Sequence, residues 1–528
     1  MELNHVGRSR IYTDEKYIDA SNVVSVLGKA YAKHCANVND IDFLIDYESG
    51  IHPKIRDRKK EVREDIDYHV VDNIAHYVTR FRTSYFWGTP AMYIQRGNEE
   101  IHVSQKEVDD RGIAGLNEMM RNGEDIASKR QRIADFVEKA GVGYSMVDIK
   151  SADEFKNDDI LVTDQGEYIG SLCHIYDLDS RNTFIVYYNG IGRKEVLGVT
   201  FTLLEDMTKR FTCFTDRFIF EIVGGEIVSQ TVNLLGMIPI VEWDRDVKMT
   251  GCFEHCIDDM DALDAQVSDV ANDSTQRTQD IWWGHNIGLP TDENGNVIEP
   301  KSGEWVLTVT PQGLNDRASD AKIAPLASTY DGASSQNQIY RKFNHILQKC
   351  FVPIQSESSG GGSTGSAMDM SAGWSALELD ALGEQNVIEY AARKELKLIL
   401  KAIKFVPENV LPLDNPIRKL HHTDIDIHFA RRRNYDMSVK ANALATLVGR
   451  GVHPRHAIKI VELFEDSEQV WNDSKDMMMA YQEKVCIQQP TQTGGQATDP
   501  EKEMGSDDRI LQDQSDQISN SPRLQQGT

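Results

Sequence analysis

A long amphipathic segment near the middle of the chain limits the possible folds more than any other feature. From Cys252 to Val270, apolar residues recur at spacings of three and four, which predicts a helix with one apolar face. If the helix continues to Trp283, it is roughly 48 Å long at 1.5 Å per residue. A face of that length has to be buried, and the helical pattern of residues 334–354 predicts a returning partner. The apolar face comprises Phe253, Cys256, Ile257, Met260, Leu263, Val267 and Val270.

The rest of this helical surface is strongly acidic. Between residues 252 and 283 the only Lys or Arg is Arg277. The acidic surface is either the solvated face of an ordinary helix or a wall that lines an aqueous channel. The acidic residues include Glu254, Asp258, Asp259, Asp261, Asp264, Asp269 and Asp273.

The composition indicates a soluble globular protein of several domains. With 528 residues, of which 40% are hydrophobic and 27% charged, the chain is long enough for about two to four domains. No apolar run reaches the roughly 18–20 residues of a membrane span, and the N-terminus lacks a signal-peptide pattern. Seven cysteines, an odd number, indicate no disulfide framework and suit a reducing cytoplasm. The net charge of −26 argues against a surface that grips nucleic acid throughout.

Helical and β patterns occupy different parts of the chain, which predicts an α+β fold. Residues 1–140 have mainly helical spacing, whereas residues 141–250 approach a period of two and contain Asn-Gly and Gly-Gly turns. This second block predicts antiparallel strands. Residues 286–333 are rich in turn residues around one clear strand at 304–310. The tail, residues 488–528, has few aliphatic residues, and we expect it to be disordered.

A run rich in Gly and Ser at residues 357–366 interrupts the helical region. Its glycine spacing matches a phosphate-binding loop, but Ser366 and Ala367 stand where that loop requires Lys and then Ser or Thr. The dinucleotide-binding interpretation also fails, because residues 343–351 before the run have helical spacing. We therefore expect a mobile loop held between helices. It contains Ser358, Ser359, Gly360, Gly361, Gly362, Ser363, Thr364 and Gly365.

The order of these elements is similar to that of a known family. Helices are followed by Tyr85-Phe-Trp-Gly-Thr-Pro, a β block, Gly236-Met-Ile-Pro-Ile-Val-Glu-Trp and the acidic helix. A small β module, a returning helix, the Gly/Ser run and Thr364-Gly-Ser-Ala-Met come next. Over residues 40–485 this order resembles the portal proteins of long-tailed bacteriophages. The resemblance implies a ring of twelve subunits at one capsid vertex, with DNA passing through a central channel.

The resemblance also implies a portal fold, with a mainly helical wing and crown, an antiparallel β block in the wing, two long stem helices and a small α/β clip. The implied boundaries are wing 1–250 (helical 1–140, β-rich 141–250), first stem helix 251–285, clip 286–333, second stem helix 334–354, tunnel loop 355–366, tunnel helix 367–404, wing return strand 405–435, crown 436–487 and disordered tail 488–528.

Two groups of residues would then face DNA. The eight Gly, Ser and Thr residues of the run would form the tunnel loop, which contacts DNA without a fixed positive charge. Acidic residues of the first stem helix would line the channel and repel the polyanion, which lowers sticking friction. The candidates for this wall are Glu254, Asp258, Asp261, Asp269 and Asp273.

The implied partners are those of a capsid vertex. They are further copies of the chain, double-stranded DNA in transit, the terminase large subunit, the major capsid protein, scaffold, and a head-completion or tail adaptor protein. The implied location is the virion, with assembly in the host bacterial cytoplasm. We expect no cofactor, no metal and no membrane contact.

Two clusters resemble metal sites. Cys252, His255 and Cys256 lie within five residues, as zinc ligands do. There is no second ligand pair at zinc-finger distance, and both cysteines share the apolar face, which favours core packing. His421 and His422 precede a strand-like run, and we interpret them as exposed polar residues at its start.

Two basic runs have different interpretations. Lys54 to Arg63 is broken by acidic residues, which favours a solvated helix face over a contact with packaged DNA or scaffold. The denser run Arg431, Arg432 and Arg433 is suited equally to a phosphate contact and to a salt bridge between subunits.

Functions of other classes are less compatible with the sequence. A metal-dependent nuclease needs carboxylates that converge from separate elements, whereas Asp258, Asp259 and Asp261 lie along one helix. An ATPase is excluded by the missing phosphate-loop Lys. Another capsid-associated protein, such as a head-completion protein, fits the composition but not the length. We therefore expect a protein that is not an enzyme.

Overall fold

The structure is a computed structural model that describes the chain up to residue 477 in separate stretches. These are residues 6–59, 66–95, 111–157, 170–278, 282–285, 294, 305–308, 322–325, 332–354, 373–429, 431, 437–461, 470–471 and 474–477. They form the predicted α+β fold. By their contacts they divide into one unit that ends at Arg433 and a second that begins at Asn434. Each unit is described by itself.

Helices dominate the first part of the first unit. They are α1 (Val23–Glu48), α2 (Pro53–Arg56), α3 (Ile74–Phe86), α4 (Arg111–Glu118), α5 (Ile126–Ala140) and α6 (Ala152–Asn157). Helix α5 ends at Gly141, where φ is +77° and an added Cβ would lie 2.1 Å from the carbonyl carbon of Met249. Only glycine fits this close approach, which places the start of the next strand against residues 249–250.

The β-rich part contains two sheets. Its strands are β3 (Val142–Asp148), β4 (His174–Leu178), β5 (Thr183–Tyr188), β6 (Glu195–Leu203), β7 (Lys209–Phe214), β8 (Phe218–Val223), β9 (Glu226–Val232) and β10 (Ile240–Asp244). With β1 (Ile11–Thr13), the larger sheet has the order β1-β5-β6-β7-β8-β9, and the smaller one has the order β10-β3-β4. Among these strands every pair is antiparallel except β1 with β5, so the predicted antiparallel block is confirmed. One face of the larger sheet packs on α1.

The next part of the chain, residues 257–349, begins and ends with a helix, and we call it the excursion. It comprises α7 (Ile257–Thr278), β11 (Trp282–His285), β12 (Trp305–Thr308), β13 (Lys322–Pro325) and α8 (Gly332–Lys349). The prediction that the first helix continues to residue 285 is wrong, because Trp282–His285 pairs as a strand with β12 and β13. The strand expected at 304–310 is β12, which pairs with β11, and β13 pairs with the other edge of β11. Of residues 286–333, the structure describes β12, β13, residue 294 and the first residues of α8, so the expected α/β module stays a prediction.

Helix α9 (Trp374–Ile403) runs through the largest apolar core, against β3, β10 and α5. The described part of the predicted helix 367–404 therefore starts at Trp374. Strand β14 (Ile425–His428) pairs antiparallel with β2 (Met92–Gln95), which returns the chain to its N-terminal part. The predicted tunnel loop and tail lie outside the described residues.

The described residues of the second unit include two short helices, α10 (Met437–Gly449) and α11 (Pro454–Val461). They lie in the region predicted as a crown. Their contact buries Ala457 and Ile458. Within the described stretches, no helix is both long and apolar enough to span a membrane.

Candidate functional site at the root of α7 and α8

Helices α7 and α8 pack against each other through the apolar face expected from the sequence. Met260 and Leu263 are fully buried together with Ile346 and Leu347 where the two helices join the rest of the unit. Lys349 Nζ lies 2.6 Å from Asp259 Oδ2, which adds a charged contact at the same end. We call this buried end the root of the pair.

A second face of α7 binds an extended segment, residues 68–72, through side chains. The amide of Val70 donates to Ser268 Oγ (2.9 Å), and the Ser268 hydroxyl donates to the carbonyl of Val70 (3.2 Å). Asn272 makes the same pair of contacts with Tyr68 (2.7 and 3.3 Å). The amide of Asp72 donates to Asp264 Oδ1 (2.8 Å).

The spacing of the two partners explains this polar ladder. Four residues of a helix advance about 6 Å, and two residues of an extended chain advance about 6.6 Å. Side chains at 264, 268 and 272 therefore meet every second peptide of the segment. They replace the neighbouring strand that would otherwise satisfy its backbone groups.

The basic residues of the 52–59 region neutralise much of the acidic surface. Lys54 Nζ lies 2.7 Å from Asp258 and 3.0 Å from Asp261, and these carboxylates raise the pKa of Lys54. Arg58 lies 2.7 Å from Asp269 Oδ1. The side chains of Lys54 and Arg58 are 60% and 41% exposed, so the prediction that this run is solvated holds for them, although both cations also pair with α7.

The acidic wall candidates consequently differ in what they can do. Glu254 is fully buried, 2.5 Å from Arg8 Nη2, and also accepts the amide of Gly251 (2.8 Å), so it does not face solvent. Glu254 is therefore no longer a candidate for the channel wall, because its carboxylate is buried against Arg8. The side chain of Asp261 is only 9% exposed beneath Lys54. The side chains of Asp258 and Asp269 are 93% and 60% exposed. Asp273 is half-buried.

A buried charge network connects the root to helix α9. Arg82 lies 3.3 Å from Glu138, 2.7 Å from Asp380 and 2.7 Å from Glu384. Arg245 lies 3.5 Å from Glu138 and 3.3 Å from Asp380. Burial, together with the neighbouring carboxylate of Glu138, raises the pKa of Glu384 to about 8. The surroundings therefore favour the neutral form of Glu384 within this network.

A second buried pair holds α9 further along its length. Arg130 of α5 is ion-paired with Glu395, and its guanidinium lies 4.2 Å from the ring centre of Trp243. Glu395 also accepts from Ser145 Oγ (2.7 Å), which in turn accepts from Trp243 Nε1 (2.9 Å). Helix α9 is therefore fixed to α5 and the smaller sheet by charged groups that water does not reach.

The sequence matches a known family over most of its length. The match covers residues 27–484, and the family is described as phage portal protein, SPP1 Gp6-like. This chain belongs to that family. It is a bacteriophage portal protein, which is a head–tail connector. No curated protein matches the chain. Among solved structures, a chain of the neck of an empty GTA particle, computed with C6 symmetry, is similar with a TM-score of 0.38 and 11% sequence identity. The similarity covers 74% of this chain and 90% of that one.

Arg431, the described residue of the 431–433 run, binds side chains of its own subunit. Arg431 pairs with Glu378 and Gln385 of α9, and its side chain is only 9% exposed. This guanidinium is therefore already bound within the chain, and the phosphate contact and the inter-subunit salt bridge stay predictions for the run. Arg432 and Arg433 lie outside the described residues.

The cysteine cluster of the portal subunit lies in the root. Cys252, Cys256 and Cys350 are buried in the apolar cluster that contains Met260, so the expected core packing is confirmed. His255 between them is exposed and does not join the cluster. His421 is exposed and His422 is half-buried, and burial together with the neighbouring His421 lowers the pKa of His422.

Proposed function

We propose that this portal protein closes into a ring of twelve subunits at one vertex of the capsid. Double-stranded DNA enters through the ring during packaging and leaves through it during ejection. The terminase large subunit docks on the ring first and a head-completion or tail adaptor protein docks later. The ring also contacts the major capsid protein and scaffold during assembly in the host cytoplasm.

The incomplete burial of the α7–α8 pair is the observation that carries this proposal. At the root the apolar face is fully buried, but Val267, Ile339 and Phe343 further along are only partly covered within one chain. Tyr340 on α8 is 51% exposed. Further copies of the chain in a closed ring supply the missing cover, because each subunit can pack its free side on the next one.

Helix α9 presents a second uncovered stripe. Leu379, Leu382 and Tyr390 follow one another at helical spacing and are 71%, 45% and 73% exposed. Gly383 lies in the same stripe, and no atom lies within 4 Å of its added Cβ position, so the backbone is open to close approach. We assign this stripe to the contact between neighbouring subunits.

The channel wall in this proposal consists of neutralised carboxylates. Asp258 and Asp269 are exposed but form salt bridges with Lys54 and Arg58. Asp273 follows on the same helix. A wall of paired charges repels DNA less than bare carboxylates would, and Lys54 and Arg58 are already bound to carboxylates. Such a surface suits a polymer that has to slide.

The Gly/Ser run is proposed as the loop that touches moving DNA. Its glycines leave the backbone almost unrestrained, and its hydroxyls can contact phosphates without a fixed charge. Each copy in the ring can therefore take its own conformation around a duplex whose symmetry differs from that of the ring. We propose a weak grip that limits back-slippage.

Light scattering on purified protein tests the ring. We expect a mass near twelve times the 59.6 kDa of one chain. The variant Leu379→Ser, Leu382→Ser, Tyr390→Ser should fail to reach this mass. A control with Leu203→Ser, Val228→Ser and Val247→Ser removes three equally exposed apolar side chains elsewhere and should keep it. A wild-type monomer at micromolar concentration contradicts the ring, whereas an intact ring of the stripe variant contradicts only the assigned contact.

A further inference from the structure

Two cysteines meet at the root of the α7–α8 pair. Cys256 is the last residue of the short 3-10 turn before α7, and Cys350 is the first residue after α8. Their sulfur atoms lie 3.5 Å apart, and the residues are 1% and 2% exposed. A disulfide has an S–S distance of about 2.05 Å. Side-chain rotations that move the sulfurs less than about 2 Å closer together would bring them into bonding range.

The position of this pair in the chain is unusual. Cys256 and Cys350 are 94 residues apart in the sequence. The chain between them contains α7, the three-stranded sheet and α8. A covalent bond between them would close the whole excursion into one loop at its base. A single bond between them would therefore restrain a long stretch of chain.

The surroundings favour thiolate formation at one of the two sulfurs. The Cys350 thiol donates its hydrogen bond to Cys256, and this bond, with Lys349 nearby, lowers the pKa of Cys256. Arg82 Nη1 lies 3.5 Å from the carbonyl oxygen of Cys350 and adds positive charge on the other side. The sequence neighbours of the pair, His255 and Phe351, are exposed, whereas the two cysteines themselves are buried.

Cys252, the third cysteine of the root, has a different environment. Cys252 Sγ contacts Thr79 Oγ1 at 3.7 Å, and burial raises the pKa of Cys252 to about 12. It therefore stays a neutral thiol with a hydroxyl partner. Cys213, in the core between α1 and the larger sheet, likewise has a pKa raised by burial to about 12.

We propose that Cys256 and Cys350 are a redox pair that closes to a disulfide when the protein meets a peroxide. The Cys256 thiolate attacks a peroxide oxygen, which gives a sulfenic acid on Cys256 and hydroxide, and the hydroxide takes up a proton to become water. The Cys350 sulfur then attacks the sulfenic sulfur, the S–S bond forms, and the sulfenic hydroxyl leaves with the Cys350 proton as a second water. Two electrons pass from the sulfurs to the peroxide.

The disulfide would join the two ends of the excursion covalently at the root. In a reducing compartment both thiols remain free and the excursion can adjust during assembly. In an oxidising medium the bond fixes the first turn of α7 to the end of α8. Neither step depends on the ring proposed above.

Treatment of the full-length protein with hydrogen peroxide, followed by digestion without reductant, tests the proposal. We expect one cross-linked peptide pair that joins Cys256 to Cys350, an intact mass lower by two hydrogens, and full reversal by dithiothreitol. Amide exchange around residues 256–260 and 346–350 should slow at least about tenfold in the oxidised form.

Matched variants complete the test. Cys256→Ala and Cys350→Ala should each abolish the cross-link, whereas Cys252→Ala and Cys213→Ala should keep it. Circular dichroism checks that every variant is folded. The proposal is overturned if wild-type protein forms no Cys256–Cys350 peptide while the more exposed Cys35 is oxidised. It is also overturned if Cys252 takes the place of either partner.

Discussion

The polar ladder between α7 and residues 68–72 makes a local and quantitative prediction. In the Ser268→Ala variant, the amide and the carbonyl of Val70 both lose their partner, at a position where Ser268 is only 1% exposed. Leaving buried backbone groups unpaired costs roughly 1–3 kcal/mol. This corresponds to a roughly 5- to 150-fold larger population of the open segment.

Hydrogen exchange at single-residue resolution measures this opening directly. We expect faster exchange of the Val70 amide in Ser268→Ala, with a smaller effect on Tyr68 and Asp72, whose side-chain partners are intact. Ser274→Ala is the matched control, because Ser274 is exposed on the same helix and should change none of the three amides. Unchanged exchange of Val70 in a folded Ser268→Ala protein would refute the ladder.

Three further predictions concern the buried charges and the loop. Because the folded pKa of Glu384 lies above its ordinary value of 4.5, its stabilising contribution is complete below pH 4.5 and is lost as pH rises through about 8. Glu384→Gln should therefore gain thermal stability relative to wild type as pH rises from about 4.5 to about 8, and a gap independent of pH would contradict this. Glu254→Ala should destabilise the fold by about 3–5 kcal/mol by stranding Arg8, whereas a loss below about 1 kcal/mol in denaturant melts would contradict the buried pair. Replacing Gly360, Gly361 and Gly362 with Ala should leave ring mass unchanged but reduce packaged DNA per particle, and normal full-length packaging would exclude the loop's proposed role.

The parts of the fold that follow a local period could be predicted from the sequence. The apolar face of α7, its helical partner α8 and the antiparallel β block all have spacings that specify their elements without long-range information. The end of α7 was predicted too late because Trp282 and Trp283 continue the apolar pattern, although they pair as a strand with β12 and β13. Strand pairing of that kind joins distant residues, and a single helical period cannot reveal it.

The acidic surface shows why a site is harder to predict than an element. Its charges are plain in the sequence, but the cations that pair with it, Lys54 and Arg58, lie about 200 residues earlier in the chain. The same applies to Glu254 and Arg8, which meet only after folding. One signal was available: Ser268 and Asn272 are uncharged polar residues that follow Asp264 at spacings of four and so share its helix face.

A three-dimensional reconstruction of the purified full-length protein tests the central claim most directly. We predict a hollow ring of twelve subunits in which α7 faces the central channel and the α9 stripe of Leu379, Leu382 and Tyr390 lies at the contact between neighbours. A monomer, a particle without a channel, or a ring in which α7 faces the outside would contradict the account.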